Sequence, residues 1–362
     1  MNIWWLVAWI SSFVAATLVA PLVIRLYTKY GWLDNPVGQN HPKVVHTYPV
    51  PRGGGLVVAA GIVVGLLFTA AFRPELWGVM LGALILLISG TLDDRYDISP
   101  YIRYLLNFLA AGLVILSGIG INFVTNPLGE GVVYLDIWQY TFQVSHWIIS
   151  LSFPGDLIAL LWIVWNMNAV NWAKGVDGQL PGFVSIAAVF IALLSLRFLG
   201  DTSQTVVALL ALSVSGAFAG LLIWNVFPQK MMPGYAAGSL AGYFLAVLAI
   251  LSGAKIATVL LLLAIPTVDG FFVVTRRLAK GKSPFWGDRS HLHHRMLDAG
   301  WGKRRIAAFY WAATLFFGIV SLQLDSRAKL YAMIAIAILF LALVIWFRRS
   351  ISSSKQPDHV SG

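Results

Sequence analysis

The sequence predicts an all-α polytopic membrane protein, with about 10–11 transmembrane helices at about 20 apolar residues per span. Three observations carry that expectation. Of 362 residues, 59% are hydrophobic and only 11% are charged, whereas a soluble domain carries about 25% charged residues. The mean hydropathy is +0.78. Apolar runs long enough to cross a bilayer recur from one end of the chain to the other. These values exclude a water-soluble globule, and 15 Trp with 21 Phe exclude a disordered chain. Zero cysteines exclude a disulfide framework, a thiol nucleophile and a cysteine-based metal site.

Eleven segments meet the span criterion: 2–24, 54–72, 76–92, 105–121, 155–171, 181–199, 204–227, 238–252, 254–275, 306–324 and 330–347. The first lacks a basic flank and a small-residue cleavage site, so it is expected to be a retained span. No internal repeat is visible. The organisation expected is one membrane domain over 1–349 and a polar, disordered cytosolic tail over 350–362.

Loop charge fixes the expected sidedness. With the N-terminus outside and the C-terminus inside, 20 of the 25 Lys and Arg fall on the cytosolic side. Nine of them lie between Arg276 and Arg305. The net charge of +10 is thereby mainly a topological signature, and no nucleic-acid partner is expected. The outer loop 122–154 holds Glu130 and Asp136 but no Lys or Arg. Its turn residues followed by VVYLDIW predict a short hairpin at the interface.

On this topology five unusual segments face the cytosol together: PRGGG (51–55), LDDRYDIS (92–99), NMNAVNWAKGVDG (166–178), MMPGYAAGS (231–239) and SPFWGDRSHLHHR (283–295). A scaffold has no reason to collect its Asp, Asn, His and Gly-rich turns on one side, so a site is expected there. Asp93 and Asp94 end a span as adjacent carboxylates, which repel unless a cation or proton relieves them. They read either as a hard-cation or phosphate-chemistry site or as a solvated helix end salted by Arg95. Asn168 and Asn171 share a helix face and serve either to read a base or sugar edge or to bond a neighbouring helix. Gly175-Val176-Asp177-Gly178 presents Asp177 on a tight turn. Asp269 lies inside a span, where a carboxylate is functional unless Arg276 or Arg277 pairs it. His291, His293 and His294 stand beside Asp288, Arg289 and Arg295. That surplus of positive charge favours a phosphate grip over zinc or a plain interfacial loop.

Taken in order, these segments resemble the polyprenyl-phosphate N-acetylhexosamine-1-phosphate transferases, over about residues 25–305. SPFWGDRSHLHHRMLDAGW is similar to the branch that loads GlcNAc-1-phosphate to begin O-antigen, common-antigen or teichoic-acid linkage synthesis. The resemblance implies attack of a lipid phosphate on the sugar-bearing phosphorus of a UDP-sugar, with release of UMP. It implies a bacterial-type cytoplasmic membrane, an active site on the cytosolic face, a lipid-bilayer setting and a possible homodimer. It also implies Mg²⁺, with Asp93 and Asp94 acting in nucleophile activation and metal binding. Asn168, Asn171, Lys174 and Asp177 then fall in the nucleotide-sugar loop, Asp177 among the catalytic acids. Asp269 matches an intramembrane acid, and Asp288, Arg289, His291, His293 and His294 match the phosphate-contacting loop.

Two positions depart from that pattern. Lys174 stands where the N-x-x-D-G-x-D-G loop has its first acid. Ala236, or Tyr235 in the other register, stands where G-D-x-G-S has its Mg²⁺-binding Asp. The local charge shifts by +3. Three readings follow: a lysine ammonium in place of part of the metal's charge, a relative that binds without turnover, or adaptation to another nucleotide sugar. A transporter predicts related halves with a mid-span polar site, and neither feature is present in the sequence.

Overall fold

The structure is a computed structural model, and it describes residues 3–36, 45–69, 76–126, 129–144, 147–198, 201–253, 256–284 and 289–353. Helix α1 (Ile3–Lys29) leads through the short strands β1 (Leu33–Asp34) and β2 (Val50–Pro51) into α2 (Gly54–Thr69). Helices α3 (Trp77–Tyr96) and α4 (Pro100–Leu116) form a hairpin. Two antiparallel pairs follow, β3 (Phe123–Thr125) with β4 (Val132–Tyr134) and β5 (Trp138–Val144) with β6 (Trp147–Phe153). The chain continues as α5 (Gly155–Trp172), α6 (Gln179–Ser195), α7 (Thr202–Asn225) and α8 (Gly234–Leu251). It closes with α9 (Ile256–Leu262), α10 (Ala264–Leu278), α11 (Leu292–Asp298), α12 (Lys303–Gln323) and α13 (Ser326–Ser353).

Every expected span is matched by a helix or a helix pair. Among the described residues seven helices are long and apolar enough to cross a membrane singly, and the bent α9–α10 pair makes an eighth. Helices α2 and α4 are shorter apolar helices, and α5 is diluted by Asn166, Asn168 and Asn171. The fold is thus an all-α polytopic membrane bundle.

Four details differ from expectation. The segment 254–275 is not one straight span: α9 and α10 meet at 83°, where Leu263 leaves helical geometry and Pro266 has no N–H to continue the ladder. The fourth span begins earlier, because Pro100 occupies the first helical turn, where its missing N–H costs nothing. The outer loop forms two hairpins rather than one; β5 alternates Trp138, Tyr140 and Phe142 with Gln139, Thr141 and Gln143, a period of two that suits a strand. Finally, α13 runs to Ser353, beyond the expected start of the tail, and 354–362 lie outside the described residues.

The packing is that of a lipid-embedded bundle. Ala8, Ser12, Ala16 and Ala20 form a small-residue stripe on α1 that is buried, while Ile10, Val14, Leu18 and Leu22 face outward. Gly61 and Gly65 of α2 and Gly216 and Gly220 of α7 bring their backbones directly against that stripe. Ser12 Oγ donates toward the carbonyls of both Gly61 (2.7 Å) and Ser213 (2.6 Å), joining the three helices. Small residues allow this closeness, which in lipid supplies dispersion and hydrogen bonds in place of a hydrophobic force.

Helix α8 is the central post. Its residues from Gly234 to Ile250 are all buried, with α2, α3 and α5 against it. Ala-, Gly- and Ser-rich at its start, it lets the ends of those helices converge on its N-terminus.

Candidate active site

The centre is built where α3 ends and α8 begins. Gly234 has φ of +70°, and a side chain there would collide with the Asp94 carboxylate. Asp94 therefore reaches the first amides of α8: Tyr235 N donates to Oδ1 at 2.6 Å and Ala236 N to Oδ2 at 3.3 Å. A carboxylate on a helix N-terminus satisfies orphan N–H groups and meets the positive end of the dipole.

Asp93 is buried and points elsewhere. Its Oδ2 accepts from Arg103 at 3.2 Å, while its Oδ1 has no hydrogen-bond partner among the described residues. Arg103 reaches it because Asp97 adopts a left-handed conformation that ends α3. The first turn of α4 is thereby returned beside the last turn of α3. Arg95, the partner in the solvated-helix-end reading, lies instead over the Trp32 and Tyr96 rings.

Lys174 enters the same centre from the α5–α6 turn. Its Nζ donates to Gly234 O at 2.6 Å and lies 5.7 Å from the Tyr235 ring. Arg103 flanks the same ring at 5.2 Å. Burial pulls the ammonium pKa down from the ordinary lysine value to about 8, against the opposing pull of Asp94. Arg52, held by Asp34 through Nε at 3.0 Å, adds a third cation that acts on both Asp94 and Lys174. The PRGGG segment is fixed to this place by backbone bonds: Gly54 N donates to Met232 O at 3.1 Å and Met232 N to Pro51 O at 2.9 Å.

A second cluster adjoins the first. Asp269 accepts from His291 Nδ1 at 2.8 Å and from Leu292 N at 2.9 Å, so its partner is the histidine rather than Arg276 or Arg277. His293 packs on Gly175, the residue after Lys174, where any side chain would collide with the ring. Burial first, then His294, His291 and Arg289, hold the His293 pKa well below the ordinary imidazole value, leaving the ring neutral at pH 7. His291, His293 and His294 are all buried.

The remaining expected residues sit further back. Asp177 is buried between Lys303 Nζ at 3.1 Å and Gln229 N at 3.2 Å. That bridge ties the α5–α6 turn to the segment before α8 and to the start of α12. Asn168 Nδ2 bonds its own helix at Val164 O, 2.8 Å away, and Asn171 lies against Gly238 at the crossing of α5 and α8. Arg289 pairs with Asp298 at 2.7 Å. Asp288 lies outside the described residues.

The structure thus brings Asp93, Asp94 and Lys174 to the start of α8, with the lysine acting on both acids through space, and joins Asp269 to the His cluster. It adds Arg103, Arg52 and Tyr235, which the sequence presented only as loop charge and a Gly-rich turn. The short link Asp97–Ser99 before Pro100 was the available signal for Arg103, since it forces two antiparallel helix ends together.

The donor set does not fit a resident Mg²⁺. Of the four oxygens of Asp93 and Asp94, only Asp93 Oδ1 lacks a donor. Three carboxylates (Asp34, Asp93, Asp94) are already matched by Arg52, Arg103 and Lys174. Among the described residues no three His, Asp or Glu side chains come together as a metal cage.

Fold and site define a polytopic membrane enzyme with a charged centre at one end of its helix bundle. The model of glycosyl transferase family 4 matches residues 76–253 of the chain. It is 26% identical over 346 residues to a probable undecaprenyl-phosphate N-acetylglucosaminyl 1-phosphate transferase of Bacillus subtilis, covering 94% of this chain and 90% of that one. It is 25% identical to a decaprenyl-phosphate N-acetylglucosaminephosphotransferase of Mycolicibacterium smegmatis, with 92% and 89% covered. With the undecaprenyl-phosphate α-N-acetylglucosaminyl 1-phosphate transferase of Escherichia coli K12 it shares 29%, over 82% of this chain and 77% of the relative.

Proposed function

We propose that this chain transfers GlcNAc-1-phosphate from a UDP-sugar to a polyprenyl phosphate, giving a polyprenyl-diphosphate sugar and UMP. The observation that carries the reading is the convergence of Asp93, Asp94, Lys174 and Arg103 on the N-terminus of α8. It occurs in a chain whose relatives over nine-tenths of its length carry that activity in their names.

The chemistry suits these residues. The second pKa of a phosphate monoester is about 6, so the acceptor arrives largely as a dianion. One of its oxygens forms a bond to the sugar-bearing phosphorus, the bridging P–O bond breaks, and UMP leaves with the electron pair. Charge is conserved without a proton transfer. The task is to align several phosphates and offset their repulsion, which falls to Lys174, Arg103 and Arg52. Asp94 fixes the amides of α8, and the open oxygen of Asp93 meets the substrate. Asp177 and the Asp269–His291 link hold the loops that carry the nucleotide sugar.

In this reading the centre faces the cytosol of a bacterial-type cytoplasmic membrane, where 20 of the 25 basic residues are expected. Purified protein supplied with radiolabelled UDP-GlcNAc and undecaprenyl phosphate is expected to yield labelled, butanol-extractable lipid and UMP in equal amounts. Folded protein that gives neither overturns the assignment.

A further inference from the structure

The centre holds more positive charge than an acid pair awaiting a metal ion would need. Lys174 Nζ is fixed on Gly234 O at 2.6 Å, one residue from the amide that Asp94 accepts. It therefore stands beside the helix end that Asp94 caps. Among the described residues no third His, Asp or Glu joins the acids to form a cation cage there. Ala236 is wedged between α2 and α3 so closely that a Cβ on either Gly55 or Gly90 would strike it, which leaves no room for a carboxylate on that side. Asp94 has both oxygens turned into α8, and Asp93 shares its carboxylate with Arg103. A buried carboxylate pair without compensation is costly, and here the compensation is covalently part of the chain.

We propose that Lys174 is the resident cation of this active site, so that phosphate transfer proceeds without a divalent metal ion. This rests on the transfer reaction proposed above. In that reaction, as the acceptor oxygen bonds to the sugar-bearing phosphorus and the bond to UMP breaks, charge grows on the bridging oxygen. A fixed ammonium at the α8 N-terminus meets that charge with no ion to recruit. Preorganised positive groups aimed at developing phosphate charge are a main source of catalysis in such reactions. Arg103, in contact with Asp93 and Tyr235, fixes Asp93 and adds its charge to the centre beside the ammonium.

The test uses the full-length protein in detergent and follows labelled lipid with EDTA or with MgCl₂. Wild type is expected to transfer at the same rate within about threefold in both, and Lys174→Gln to lose about 100-fold in EDTA, the size of a lost transition-state donor. A wild-type enzyme silenced by EDTA and restored by Mg²⁺ overturns the inference while leaving the transfer reaction intact. A second readout is independent of turnover: Mn²⁺ electron paramagnetic resonance titration of the protein with UDP-GlcNAc present. No saturable site in wild type is expected; a stoichiometric Mn²⁺ site overturns the proposal even if no turnover is seen. Absence of labelled lipid under both conditions with absence of Mn²⁺ binding would instead sink the transferase reading and retain Lys174 as the site's cation. Thermal melting of Lys174→Gln beside wild type separates loss of the ammonium from loss of the fold. Lys174→Arg retains a cation and is expected to recover part of the EDTA-resistant rate.

Discussion

At Asp94 the carboxylate accepts from the first amides of α8 while the next carbonyl back, Gly234 O, accepts from Lys174. The acid thus orders the helix end, and in the proposed reaction the lysine keeps the acid from repelling an incoming phosphate. This division has a pH consequence. The ammonium has a pKa of about 8 in the fold because burial disfavours its charge, against about 10.4 in the unfolded chain. Between those values the unfolded state binds more protons, so the contribution of Lys174 to folding stability rises with pH there. Under the role proposed for Lys174, the cation that serves the transfer is lost over the same interval. Transfer rate is therefore expected to fall as pH climbs through about 8 while the melting temperature holds. Initial rates and melting curves between about pH 6 and about pH 10 check this. A rate that stays flat through this range contradicts the role of Lys174, and a melting temperature that falls with the rate points to unfolding instead.

Among the elements, the break between α9 and α10 controls where the second cluster sits. The 83° bend places Asp269 near the start of a reoriented helix, from which it holds both His291 and the first amide of α11. The sequence showed the acid and the histidines, yet not their pairing. Apolar run length reports burial and says little of direction, so 254–275 read as one span. The same limit hid nothing in 132–153, where the alternation from Trp138 to Val144 carried a strand signal that turn residues upstream drew attention from. If Asp269 is the latch, Asp269→Ala leaves two buried donors without an acceptor. The expected cost is about 1–3 kcal/mol for each group left unsatisfied, while Asp269→Asn, which keeps an acceptor, costs less. Melting temperature and protease sensitivity around 289–295 measure this. Equal, negligible losses in both variants would show that α11 is held by its apolar side, Leu292 and Met296.

For the whole molecule, the eleven apolar segments and the gathering of five polar segments at one end were legible, because both follow from hydropathy and loop charge. The particular contacts were not. Arg103 meets Asp93 only through the left-handed turn at Asp97, and Arg52 arrives through β1–β2, so both looked like ordinary cytosolic basic residues. The gathering itself is now physical: 51–55 bonds 232, 94 bonds 235–236, 174 bonds 234, and 177 bonds 229 and 303. With His293 of 283–295 packed on Gly175, these bonds hold all five segments on the same membrane face, so one labelled position reports for the whole centre. The chain has no cysteine, which makes single-cysteine reporters unambiguous without prior substitutions. Lys280, just after α10, and Glu130, in the β3–β4 turn, are both exposed and lie at opposite ends under the proposed sidedness. A membrane-impermeant maleimide applied to intact cells is expected to label Glu130→Cys and to spare Lys280→Cys until the membrane is permeabilised. Charge bias predicts that orientation because basic loops are retained in the cytosol. The reverse pattern would place the cation cluster outside, away from any cytosolic nucleotide sugar. Labelling of both positions in intact cells would mean that an odd number of the helices between them fails to span. In that case the short helices α2 and α4, which both precede the two reporters, are not responsible; α5 and the bent α9–α10 pair lie between them, and reporters at the exposed Thr202 and Lys230 test their crossing.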